Sequence, residues 1–144
     1  MFKRILVPTD GSDITLKAIE TSIALARSVG AELQTLCVKE PFPYGAISEM
    51  QPTPPQEFFD AQERIAARHV KAVLDACAAA GVPCQGLTVE ALHPWEAIIE
   101  HAMRTDCDLL VMASHGRRGV SALLLGSETQ KVLTHTKIPV LVVR

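Results

Sequence analysis

Two kinds of segment take turns along this chain, and their alternation leaves few folds open. Short runs rich in Val, Leu and Ile occupy Ile5–Val7, Glu32–Val38, Gln85–Glu90, Leu109–Ala113 and Val140–Val143, and they read as buried parallel strands. Stretches with helical period lie between them. From Asp13 to Val29, Leu16, Ile19, Ile23 and Ala26 share one face, and Gly30 follows where a helix end takes a residue able to adopt positive φ. From Glu57 to Ala80, Phe59, Ala66, Val70, Val73 and Cys77 line one side, with Gly81 as the stop. A third helix starts at Pro94, a favoured first helical residue, and is expected to bury Trp95, Ile98, Ile99 and Ala102. A fourth runs from Ser127 to about His135, ahead of Ile138-Pro139. The order βαβαβαβαβ predicts an α/β fold: an open, doubly wound, five-stranded parallel sheet with helices on both faces and right-handed crossovers. A length of 144 residues suits one domain over 1–144, and 48% hydrophobic residues suffice for its core.

Several function classes fall away. A net charge of −2 argues against a nucleic-acid surface or a polybasic membrane patch. No apolar stretch approaches the roughly 20 residues of a membrane span. Met1-Phe2-Lys3-Arg4 leads straight into the first strand-like run without the apolar core of a signal peptide, so a cytoplasmic location is expected. Cys37, Cys77, Cys84 and Cys107 form no CxxC pair, and buried thiols in a reducing compartment are the expectation for the three in apolar runs. There is no GxGxxG fingerprint, no Walker loop and no GxSxG elbow. His69, His93, His101 and His135 have no ligand spacing; His69 and His135 read as solvated, and His93 as a helix cap or surface residue. Ser114 and His115 are neighbours at a strand end, where adjacent side chains point apart, which makes them a poor nucleophile–base pair. Trp95 reads as core or helix-end packing.

In open α/β sheets, ligands bind beyond the C-terminal ends of the strands. Two strands here end in polar turns: Pro8-Thr9-Asp10-Gly11-Ser12-Asp13, and Ala113-Ser114-His115-Gly116-Arg117-Arg118-Gly119. If these strands are neighbours, the turns flank one crevice. Gly116 and Gly119 allow close backbone approach, and Gly126-Ser127 stands directly before a helix, whose N-terminus offers N–H groups and partial positive charge to a phosphate. Ser127 can serve a phosphate or cap that helix. Arg117 and Arg118 either add positive potential or are simply solvated. His115 is the histidine expected to border the crevice. Asp10 has two readings: a carboxylate for ribose hydroxyls or a phosphate-bound metal, or part of the cap of the next helix, together with Ser12. The proline-rich Pro41–Pro55 is either a flap over the strand ends or a plain connector.

At this point the sequence resembles the universal stress protein family over essentially its whole length. The opening Ile5-Leu6-Val7-Pro8-Thr9-Asp10-Gly11-Ser12 is similar to that family's first strand and loop. Met112-Ala113-Ser114-His115-Gly116, Leu124-Leu125-Gly126-Ser127 and Ile138-Pro139-Val140-Leu141-Val142-Val143 resemble its C-terminal signature. Leu36-Cys37-Val38 and Asp106 to Met112 also fit. The resemblance implies strand order 3-2-1-4-5, placing the two polar turns side by side. It implies ATP, or ADP or AMP, with Mg²⁺ or Mn²⁺: Pro8, Thr9 and Asp10 beside adenine and ribose, Val38 meeting adenine through its backbone, Met112 and Ala113 on the ribose side. Gly116, Gly126, Ser127 and the following Glu128 and Thr129 would hold the phosphates, with Arg117 and Gly119 in the same loop and the metal beside Asp10. Nucleotide-binding members carry Gly-x2-Gly-x9-Gly-Ser/Thr; here Ala113 replaces the first glycine. Alanine there is tolerable at negative φ and weakening at positive φ. The family also implies a homodimer through Val140–Val143, a regulatory protein partner, and at most slow ATP hydrolysis or autophosphorylation. The alternatives are a nucleotide-free partner-binding module and a nucleotide hydrolase or adenylyl-transfer enzyme on the same fold.

Overall fold

A computed structural model describes residues 1–41, 56–116 and 124–144. Its elements, in chain order, are β1 (Arg4–Pro8), α1 (Asp13–Val29), β2 (Glu32–Lys39), α2 (Gln56–Ala79), β3 (Cys84–Glu90), α3 (Pro94–Arg104), β4 (Leu109–Ala113), α4 (Ser127–His135) and β5 (Val140–Val143). The five strands form one parallel sheet in the order β3-β2-β1-β4-β5. The chain starts in the middle, winds outward through β2 to β3, then returns to the other side of β1 for β4 and β5. The strand order therefore reverses between β1 and β4.

Strand side chains alternate between two cores, as the pleat requires. Ile5, Val7, Leu33, Leu109 and Val111 pack against Ala18, Ile19 and Ala26 of α1 and Val73 and Cys77 of α2. Leu6, Leu36, Leu110 and Met112 point the other way, onto Ile98 and Ala102 of α3 and Val132 of α4. This is the doubly wound arrangement. Helix ends follow local chemistry: Ser12 Oγ accepts from Thr15 N at the start of α1, and Gly30 closes it in the left-handed conformation, its N–H donating to Ala26 O. All four cysteines are thiols, with Cys37, Cys77 and Cys107 buried and Cys84 half-buried.

Two expectations fail here. β3 is not buried on both faces: it is an edge strand, and Gln85, Gly86 and Leu87 are exposed. An apolar run can also be an edge strand whose one face is covered, by α2 in this case. Leu16 is 53% exposed rather than in the core. The buried strip of α1 is Thr15, Ala18, Ile19, Ser22 and Ala26. Thr15 is drawn inward by its hydrogen bond to Asp10 (2.7 Å), which turns the helix about one residue away from the purely apolar phase.

Candidate functional site

The reversal of strand order brings together the turn after β1 and the segment from β4 to α4. β1 pairs with β2 only as far as Pro8↔Leu36, with one further bond from Thr9 N to Leu36 O (2.9 Å). β2 runs on to Lys39 beside β3, so Val38 stands past the end of β1. Thr9 is buried, Pro8 and Val38 are half-buried.

Asp10 organises the first turn. Its Oδ1 accepts from Ser12 N (2.9 Å) and Thr15 Oγ1 (2.7 Å). Ser12 is the cap of α1, and Asp10 braces that cap from outside, so the capping reading holds through both residues. Its other oxygen reaches across the sheet: a Cβ at Gly116 would lie 2.7 Å from Asp10 Oδ2. The two polar turns therefore touch, and a side chain at 116 would fill their meeting point. Gly11 has φ +78, and a Cβ there would lie 2.2 Å from the imidazole of His69. The half-buried His69 of α2 thus lies over this turn instead of being plainly solvated, and the sequence reading missed it.

The β4 side is tied to α4. Gly126 N donates to Ser114 O (2.6 Å), and Thr129 Oγ1 donates to Ala113 O (2.8 Å). Gly126 is the N-cap and supplies no side-chain capping bond. The first-turn N–H groups of Ser127, Glu128 and Thr129 are the donors a helix leaves without intrahelical partners, and Ser127 is exposed there. The side chains of Glu128 and Thr129 are engaged elsewhere. Glu128 Oε2 accepts from Trp95 N (2.9 Å) at the start of α3, and Thr129 is buried against β4. Trp95 packs on the core beside α3 and stacks on the exposed His135, ring centroids 4.3 Å apart. His93 is both exposed and the N-cap of α3.

Met112 and Ala113 present only backbone to the crevice. The Met112 side chain belongs to the α3–α4 core and the Ala113 methyl packs on the α1–α2 core, because consecutive strand residues face opposite layers. Ser114 and His115 do not point apart: Ser114 Oγ lies 3.1 Å from His115 Nδ1. The strand ends at Ala113, so the alternation that separates neighbours no longer applies one residue later. Ser114 is only 4% exposed, which keeps its hydroxyl from acting as an open nucleophile. Arg117, Gly119 and all of Pro41–Pro55 except Pro41 lie outside the described residues.

With this geometry in place, the chain can be compared with known proteins. The model of the universal stress protein family matches residues 1–144. The chain belongs to that family. A universal stress protein of Thermus aquaticus is 36% identical to it over 144 residues, spanning the whole of both chains. The solved structure of protein MJ0577, a universal stress protein of Methanocaldococcus jannaschii, superposes with a TM-score of 0.83 at 26% identity, covering 99% of this chain and 96% of that one. Another universal stress protein, solved in complex with cAMP, superposes with a TM-score of 0.70 at 26% identity, covering 99% and 97%. As a universal stress protein, this chain departs from the nucleotide-binding motif at Ala113. Among the described non-glycine residues only Asp106 has positive φ, so Ala113 sits in its strand without backbone strain.

Proposed function

We propose that this universal stress protein binds an adenine nucleotide, ATP by preference, across the crevice between β1 and β4. The observation that carries the reading is the closeness of Asp10 Oδ2 to Gly116, where an added Cβ would lie 2.7 Å from it, one residue past the His115 that backs Gly126 at the N-terminus of α4. It unites a carboxylate, a backbone that a ligand can approach closely, and a helix N-terminus suited to phosphate. The first-turn N–H groups of Ser127, Glu128 and Thr129, with Gly116 and Gly126, hold the phosphates, and Ser127 Oγ adds a hydroxyl. Pro8, Thr9 and Val38 flank the adenine, with the backbone of Met112 and Ala113 on the ribose side. His115, Arg117 and Gly119 complete the phosphate loop. The Ala113 methyl is accommodated in a core, so the altered motif is compatible with binding.

A cation fits only as a companion of the nucleotide. Among the described residues no group of three or more His, Cys, Asp or Glu side chains is placed to hold a metal. Asp10 is the residue that would help the phosphates hold Mg²⁺ or Mn²⁺, which would supply neutralisation of phosphate charge there. Turnover is slow or absent. Asp10 Oδ1 already accepts two hydrogen bonds and is a poor general base, and Ser114 is buried. The role is regulatory: a stress-response protein of the cytoplasm whose nucleotide state is read by a protein partner. Among the described residues no helix is long and apolar enough to cross a membrane.

The test is to denature protein purified without added nucleotide and separate the released small molecules by ion exchange. A stoichiometric ATP peak supports the reading. If none appears, and ATP titrated into the stripped protein does not bind either, the reading fails.

The working unit is a homodimer paired through β5. This strand ends the sheet beside β4, and Leu141 on it is 38% exposed. It carries no internal proline or lysine to discourage pairing with a second copy. Leu141→Lys is expected to shift the protein from dimer to monomer in sedimentation at micromolar concentration. A monomeric wild type would end this part of the account.

A further inference from the structure

Two of the four thiols meet at the end of the sheet opposite the crevice. Cys77 lies in the last turn of α2 and Cys84 opens β3, and their sulfurs are hydrogen-bonded to each other. The chain itself brings them together. Cys77 O accepts from Ala80 N (3.1 Å) and Val82 N (2.9 Å), and Gly81 turns the backbone at φ +72, so the chain leaves α2 and enters β3 directly beside it. Cys84 stands opposite Leu33 in the sheet and packs on the core that holds both Leu33 and Cys77.

The two sulfurs differ in access. Cys77 is fully buried, whereas Cys84 is half-buried, and its Sγ also lies 3.7 Å from Gln85 O at the surface. They also differ from an ordinary buried thiol. Burial pushes the Cys107 thiol up. In the pair, the hydrogen bond with Cys84 lowers the pKa of Cys77 against the effect of its burial, and the same bond, together with burial, raises that of Cys84. The first proton therefore leaves the pair more easily than it leaves a lone buried thiol, and the S–H···S bond spreads the thiolate charge over both sulfurs. Among the described residues no set of three or more His, Cys, Asp or Glu is placed to hold a metal, which leaves sulfur chemistry for the pair.

We propose that Cys77 and Cys84 are a redox modification site, independent of the nucleotide reading, at which hydrogen peroxide entering at Cys84 oxidises the two thiols to a disulfide joining the end of α2 to the start of β3. The Cys84 thiolate attacks one peroxide oxygen: an S–O bond forms, the O–O bond breaks, and hydroxide leaves, taking up the proton the pair released. Cys77 Sγ then attacks the Cys84 sulfur: the S–S bond forms, the S–O bond breaks, and hydroxide leaves as water with the Cys77 proton. Two thiols and one hydrogen peroxide become one disulfide and two waters, the sulfurs losing the two electrons that the peroxide gains. A dithiol reverses the step by exchange through a mixed disulfide.

The test treats folded protein with hydrogen peroxide, removes the peroxide, denatures the chain and alkylates every remaining thiol. Both cysteines fall on one tryptic peptide, Ala72–Arg104, and Cys37 and Cys107 fall on others. That peptide is expected to lose both alkyl groups after peroxide and to regain both when dithiothreitol precedes alkylation, while Cys37 and Cys107 stay alkylated throughout. Cys77→Ala removes the second sulfur, so Cys84 should stop at a sulfenic acid that dimedone traps. Cys84→Ala removes the entry point, so the buried Cys77 should stay reduced. A peptide that keeps one or both alkyl groups after peroxide, a bridge to Cys37 or Cys107 or between chains, or oxidation of Cys77 in Cys84→Ala would each overturn the assignment.

Discussion

Gly116→Val is expected to weaken ATP binding by at least about tenfold, or roughly 1.4 kcal/mol, with a smaller loss of thermal stability. The added Cβ would lie 2.7 Å from Asp10 Oδ2. That atom is the end of a side chain and yields more readily than main chain, though turning it away loosens the bonds its carboxylate accepts from Ser12 N and Thr15 Oγ1. Swinging aside removes it from the crevice, and the branched methyls of valine occupy the space through which a ligand would approach the backbone. Gly126 is a less discriminating position. A Cβ there would lie 3.0 Å from His115 Cα and 3.5 Å from Ser114 O, which are main-chain atoms. Gly126→Val therefore strains the β4–α4 connection and loses stability along with affinity. Calorimetric titration of ATP into wild type and Gly116→Val, with melting curves of both, makes the separation visible. Equal affinities would remove Gly116 from the site.

The largest stability effect is expected at Leu110. It is fully buried on β4, between β1 and β5, and packs in the core that α3 and α4 cover. Leu110→Ala should cost about 3 kcal/mol, within the roughly 2–5 kcal/mol seen when a buried leucine is truncated, and lower Tm by roughly 6–12 °C. Leu16→Ala is the matched control. Leu16 is mostly exposed, so its truncation should stay within about 0.5 kcal/mol. Denaturant melts of the two variants decide this. If they are equally destabilised, the assignment of the α1 face is wrong.

These two leucines also show where sequence reading stops. Leu110 sits in an unbroken apolar run of strand length, Leu109 to Ala113, and that is the pattern of a strand covered on both faces. Leu16 fitted the apolar phase of its helix, but Thr15 won the inward position through Asp10, a polar contact that hydrophobic periodicity does not register. Helix ends at Ser12, Gly30 and Pro94 were legible because each is set by one residue's own chemistry. Contacts set by the fold were not. Glu128 capping α3 joins residues 33 positions apart, and His69 over Gly11 joins α2 to the turn after β1, with α1 and β2 between them in the chain. The Ser114–His115 hydrogen bond escaped for a different reason: strand alternation was extended one residue past the end of β4. The crevice itself was legible, since two polar turns following two apolar strands give its position once the strand order is known. The uses of Glu128 and Thr129 side chains were not, because neither residue type reveals which neighbour claims it.

The central claim is that nucleotide lies across the β1 and β4 turns against the start of α4. The most direct measurement is an amide-resolved titration of ATP with Mg²⁺ into ¹⁵N-labelled, nucleotide-free protein. The account predicts saturable shifts concentrated at Thr9, Asp10, Val38, Gly116, Gly126, Ser127, Glu128 and Thr129, with the strand starts near Arg4, Glu32 and Cys84 unmoved. Shifts centred on those strand starts or on the face of β3 toward α3, or no saturable shifts at all, would contradict it.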